Sequence, residues 1–171
     1  MSRPKLIVLS VFVLCFSSRM GFAQSQERAY ALLMVNFIKG IQWPANAGQE
    51  KFVLGVWGYS PLAAELTSAL QATNTGKRVE VKEFESPEEI SNCQMLFIPA
   101  YKARQFTALT GKFQNTPTLF VTNKMDLAKK GSHITFVTVD GKLRYEINCK
   151  SIEQRGMKIA SSIKGLGIIV E

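Results

Sequence analysis

The whole chain carries a single histidine, His133, and three cysteines, Cys15, Cys93 and Cys149. That short supply limits its chemistry. Nucleophilic catalysis needs a base held beside a serine or cysteine. His133 sits in Gly131-Ser132-His133-Ile134-Thr135, a strand-like run, and no Gly-x-Ser-x-Gly elbow occurs anywhere in the chain. A zinc site needs three or four His, Cys or carboxylate ligands at matched spacing, and one histidine with two separated cysteines does not supply them. No catalytic residue, metal or cofactor is expected.

Phosphate chemistry fails on similar grounds. Gly55-Val56-Trp57-Gly58-Tyr59 stands between a strand pattern and a helix pattern, where a dinucleotide loop would lie. The second and third glycines of that loop are missing, and Pro61 removes a backbone donor at the helix start. Glu88 and Glu89 follow Ser86-Pro87, where carboxylates complement the dipole of a short helix rather than form an acid–base pair.

Two non-covalent sites remain. Ligands of open parallel sheets gather at the carboxyl ends of the strands, which here selects Tyr59, Ser60, Tyr101, Lys102 and Asn123 as an amphipathic pocket. The second is a protein-binding face on the first helix and the residues after it: Met34, Ile38, Ile41 and Trp43. Apolar and aromatic residues beyond the needs of a core mark such faces.

The elements that must position these groups alternate in type. Residues 27–42 read as a helix, with Tyr30, Leu33, Phe37 and Ile41 at three- and four-residue spacings, stopped by Pro44. A polar loop, residues 45–50, follows. Phe52–Trp57, Met95–Ile98 and Thr118–Thr122 are continuous apolar runs, as expected of strands covered on both faces, and Arg78–Phe84 alternates like an edge strand. Helices are expected from a Ser60 cap and Pro61 onward, at 86–89, over 102–113 and over 125–129. Asp140-Gly141 turns a hairpin, and Asn148 leads into a closing helix over 151–164 with Ile152, Met157, Ile159, Ile163 and Leu166 inward. The fold class is α/β: a three-layer sandwich with a mainly parallel sheet of about six strands that ends in an antiparallel hairpin.

Residues 1–23 read as a signal peptide. Arg3 and Lys5 precede an apolar run from Leu6 to Phe16, and Gly21 and Ala23 are the small residues of a cleavage site. Removing 23 of the 171 residues leaves 148, one domain over 24–171. It also removes Arg3, Lys5 and Arg19, lowering the net charge from +8 to +5. The remaining cations are scattered, with no basic stripe for nucleic acid. In an oxidising compartment Cys93 and Cys149 could pair. They fall beside different strands, however, which favours two separate thiols over a bridge.

Five runs of sequence, taken together, resemble one family. Val35 to Pro44, VNFIKGIQWP, is similar to the "YNFAKFVEWP" run of the YfiR-like (YfiR/HmsC-type) periplasmic regulators. Cys93 to Ile98 resembles their "C-x-V-L-F-I" strand, and Thr122 to Gly131 their "T-V-S-D…F-A-x-x-G-G" turn. Arg144 to Asn148 resembles "R-F-E-I-N", and Gly156 to Ser162 resembles "G-L-K-I-S-S-K". The chain departs at Lys124, where the family has Asp, at Ser132 in place of a glycine, and at Ser162-Ile163-Lys164-Gly165. It also lacks further cysteines carried by the disulfide-bonded members. The resemblance implies a secreted, non-enzymatic regulator. Its partner would be the periplasmic sensor region of an inner-membrane diguanylate cyclase, or of a histidine kinase, and repression would lower cyclic-di-GMP and biofilm formation. A second copy of the chain is a further candidate partner. The alternative is a periplasmic small-molecule binding protein that uses the strand-end pocket.

Overall fold

The first helix ends two residues sooner than its hydrophobic spacing predicts. In the computed structural model, which describes residues 26–45, 51–73 and 78–171, helix α1 covers residues 26–40. The expected leader and nearly all of the polar loop after Pro44 lie outside the described residues. Helix α1 buries Tyr30, Ala31, Met34, Val35 and Phe37. The chain then leaves the helix because Ile41–Gln42 (β1) finds strand partners in Lys158–Ile159 (β8), pairing antiparallel with Ile41 opposite Ile159. Gly40 marks the exit. Its carbonyl accepts the Ala160 amide at 2.8 Å, and a Cβ placed on it would stand 2.4 Å from Ile163 Cγ1. Gly40→Ala should therefore cost about 1–3 kcal/mol through overpacking. Urea denaturation should show that cost shrinking to under ~1 kcal/mol in an Ile163→Ala background. An undiminished cost there would mean that the clash is not its cause.

Seven strands form the main sheet. They are β2 (Phe52–Trp57), β3 (Val79–Phe84), β4 (Met95–Ile98), β5 (Leu119–Thr122), β6 (Ile134–Val139), β7 (Lys142–Ile147) and β9 (Ile168–Ile169), in the order β3-β2-β4-β5-β6-β7-β9. Neighbours run parallel from β3 through β6, and β6 and β7 form the antiparallel hairpin. Asp140 and Gly141 turn it with φ of 50° and 69°, the positive pair that a two-residue hairpin loop requires. The seventh strand, β9, pairs parallel with β7 at the open edge. All four residues of β4 and of β5 are buried, so the apolar runs are the interior of the sheet.

Each face carries its own layer. On one, Leu54, Val56, Met95, Phe97, Leu119, Val121 and Phe136 pack with α1, with Leu62 and Leu66 of α2 (Ser60–Gln71), and with Ile152, Met157 and Ile163. On the other, Val53, Trp57, Leu96, Ile98 and Phe120 pack with Phe106 and Leu109 of α3 (Phe106–Gly111), and with Ile90, Cys93, Phe113 and Leu127.

Several local expectations are corrected. Ser60 does not cap α2: Tyr59 holds the capping position without a side-chain bond, and the Ser60 hydroxyl donates to Glu83 at 2.6 Å instead. Residues 86–89 form a turn rather than a helix, with the Glu89 carboxylate accepting the Glu85 amide. The pattern over 102–113 opens as a 3-10 helix, Ala100–Gln105, before α3, and that over 125–129 is the 3-10 turn Ala128–Lys130. The closing helix is broken into α4 (Cys149–Gln154), β8, and α5 (Ser161–Leu166). Asn148 caps α4 by accepting the Ser151 amide at 2.9 Å. Gly156, at φ 76°, ends that stretch, since a left-handed residue cannot continue a right-handed helix. Leu166, expected inward, is 65% exposed.

Candidate functional site

The loops that leave β2 and β4 part to opposite faces of the sheet, because α2 packs on one side and α3 on the other. Such a divergence marks the carboxyl ends of the strands as the place where open α/β sheets take their ligands. Tyr59 follows β2, Tyr101 and Lys102 follow β4, and Asn123 follows β5, so the topology brings these four predicted residues to one end of the sheet. The Tyr101 hydroxyl donates to the Gly58 carbonyl and so ties the two loops together. Tyr59 and Tyr101 meet edge to face with centroids 6.4 Å apart. Lys102 holds its ammonium 5.1 Å from the centre of the Trp57 ring, a cation–π arrangement. Asn123 accepts the Ala100 amide at 2.7 Å and acts on the Tyr30 phenol to offset part of its raised pKa. Ser60, exposed and turned to Glu83, does not join them.

Two residues of α1 complete the cluster. Glu27 is only 4% exposed, and its Oε1 accepts a hydrogen bond from the Tyr59 hydroxyl. Tyr30 stacks on Phe136 at 4.4 Å, and its hydroxyl accepts from Gln26 at 2.7 Å. Burial raises the Tyr59 pKa well above the ordinary phenol value, and the hydrogen bond to Glu27 raises it further. Burial also raises those of Tyr30 and Tyr101. All three rings are thus held as neutral phenols. A carboxylate in the first turn of an otherwise inward apolar face, with a tyrosine three residues on, was the signal in the sequence. Such a carboxylate is ordinarily credited to the helix dipole.

The predicted partner face fares differently. Met34 is fully buried and Ile41 is 4% exposed, so both belong to the core and neither presents a surface. Ile38 and Trp43 are half-buried. The Trp43 indole donates to the Gln94 carbonyl at 3.0 Å and meets Phe52 edge to face at 4.8 Å, which ties the end of the first helical segment to the sheet. Exposed apolar side chains gather instead at the C-terminal edge, in Leu166, Ile168 and Ile169. A groove of about 550 Å³ lies beside Ile169.

Cys93 and Cys149 are both free thiols. Cys93 precedes β4 and Cys149 follows β7, three strands away in the sheet, roughly 14 Å at ordinary strand spacing. That is beyond the reach of a disulfide. Burial pushes the Cys93 thiol up to about 12 and raises Cys149 too, disfavouring the reactive thiolate.

His133 is 1% exposed and stacked on Phe120, whose amide donates to Nδ1 at 2.8 Å. It is committed to the fold. Among the described residues no group of three or more His, Cys, Asp or Glu is placed to hold a metal ion, and no helix is long and apolar enough to cross a membrane.

The fold is an open, mainly parallel α/β scaffold whose strand-end tyrosines are held as neutral phenols and whose histidine is part of the core. Residues 27–167 match the model of the YfiR/HmsC-like family, and the chain belongs to that family, one known for periplasmic regulators in signalling. No curated relative matches the chain.

Proposed function

We propose that this protein is exported, loses its leader near Ala23, and works without catalysis. In this reading it binds the periplasmic sensor region of an inner-membrane diguanylate cyclase and holds the enzyme inactive, lowering cyclic-di-GMP. Membership of the family across residues 27–167 carries the reading. The mechanism is population shift: a regulator that binds only the inactive sensor state draws the equilibrium toward it by its difference in affinity. The exposed Leu166, Ile168 and Ile169, on a sheet edge that β9 leaves open, supply the apolar contact. Half-buried Ile38 and Trp43 contribute at most at its margin.

Crosslinking the tagged protein in its native host, followed by mass spectrometry, tests the partner. The expected product joins it to a membrane protein that carries a periplasmic sensor and a cyclase domain. Deleting the gene should raise cellular cyclic-di-GMP, and an Ile169→Asp variant should fold normally yet fail to restore repression. Unchanged cyclic-di-GMP on deletion, with no membrane protein among the crosslinks, would overturn the proposal.

A further inference from the structure

Glu27 has a second carboxylate oxygen, and it is alone. Oε1 receives the Tyr59 hydroxyl, while Oε2 is buried without a hydrogen-bond partner. Neither ion pair among the described residues, Lys82–Glu80 or Lys164–Glu153, involves Glu27. A carboxylate taken out of water without a counter-charge costs several kcal/mol. Tyrosines stand beside Glu27: Tyr59 is bonded to it and meets Tyr101 edge to face at 6.4 Å, and Tyr30 lies three residues on along the same helix. Phenol rings attract cations through their faces. The Tyr30 hydroxyl and the Asn123 side chain add polar contacts at the same end of the sheet.

We propose that this strand-end cluster is a binding site for a compact organic ammonium group, with Glu27 as its counter-ion. The unpartnered oxygen takes an N–H bond, the phenol rings beside it favour a cation, and the burial of that oxygen limits the ligand to small amines. The Tyr101 hydroxyl, bonded to the Gly58 carbonyl from a ring that is 61% exposed, is a strap across the two loops that would yield for entry. The site stands independently of the regulatory reading, since it is tested on the isolated protein.

The probe is methylammonium chloride, titrated calorimetrically against the full mature chain, with potassium chloride at equal ionic strength as control. Saturable binding with a dissociation constant of about 10 mM or tighter is expected, together with a rise in melting temperature that potassium does not reproduce. Glu27→Gln keeps the shape and the acceptor for Tyr59, and should weaken binding at least about tenfold. Should Glu27→Gln misfold by circular dichroism, Glu27→Ala serves instead. It removes the carboxylate altogether, and should abolish saturable binding of methylammonium. Absence of saturable binding would overturn the proposal, as would an effect equalled by potassium. Full binding by a folded Glu27→Gln or Glu27→Ala protein would do the same.

Discussion

Phe37→Ala should remove roughly 3–5 kcal/mol of folding stability, a large share of the total for a domain of this size. Phe37 is fully buried, meets Tyr145 edge to face at 5.0 Å and lies against Phe136 at 6.2 Å. It joins α1 to the hairpin strands β6 and β7. The cavity left by its ring would open between elements held elsewhere by β1–β8 pairing and by the sheet, so collapse into it is restricted. Trp43→Ala is the contrast. Its half-exposed indole contributes one hydrogen bond and one edge contact, and its loss should cost about 1–2 kcal/mol. Urea denaturation followed by circular dichroism separates the two. Equal losses would show that Trp43 anchors the core as deeply as Phe37 does. Repression of the partner should survive Trp43→Ala at protein levels that compensate for the lost stability, because the proposed contact lies at Leu166, Ile168 and Ile169.

What the residues disclosed in advance follows the physics of each element. Buried parallel strands must be apolar on both faces, so Phe52–Trp57, Met95–Ile98 and Leu119–Thr122 are legible as runs. The hairpin is legible because Asp140-Gly141 meets a backbone demand that few pairs can meet. The short strands β1, β8 and β9 were not. Two residues carry no periodicity, and what makes Ile41–Gln42 a strand is Lys158–Ile159, more than a hundred positions away. The same pairing explains why the closing helix was read as continuous. Ile152, Ile159 and Ile163 keep a helix-like spacing, yet Gly156 breaks it and β8 occupies the gap. The inward set at Ile152, Met157 and Ile163 was right, and the element between them was wrong. Met34 and Ile41 failed as partner residues for a related reason. The breadth of the α1 stripe, taken as surplus apolar surface, is matched by the sheet on one side and by α5 at Gly40 on the other. Four strand-end residues were legible from topology alone, whereas Glu27 needed the α1 packing to be seen as buried.

Between pH 6.5 and 5 the protein should lose stability to the protonation of one side chain. Burial, and secondarily the charge of Arg155, lower the His133 pKa from its ordinary 6.5 to about 3 in the folded state. Arg155 lies over the Phe120 ring, 5.1 Å from its centre, and donates to the Phe113 carbonyl at 2.6 Å and to that of Thr116 at 2.9 Å. The Phe120 ring thus contacts both the guanidinium and the imidazole, and Nδ1 of His133 is occupied as an acceptor by the Phe120 amide. A proton on that nitrogen would replace a hydrogen bond with a repulsion. Above pH 6.5 neither the folded nor the unfolded chain protonates His133, and its full contribution to stability is present. Below that pH the unfolded chain binds a proton that the folded one refuses, so stability falls by about 1.4 kcal/mol per pH unit until the folded group titrates near 3. Over the window from 6.5 to 5 this amounts to roughly 2 kcal/mol. Carboxylates titrate mostly below that window, and the difference from a variant removes what remains of them. His133→Asn can still offer an oxygen to the Phe120 amide, so it should fold, less stable at pH 7 for want of the ring stack but nearly flat from 6.5 to 5. Parallel urea melts of the two proteins across that range should diverge in slope. If they ran parallel, His133 would have to accept its proton within the fold, and its Nδ1 bond to the Phe120 amide could not persist.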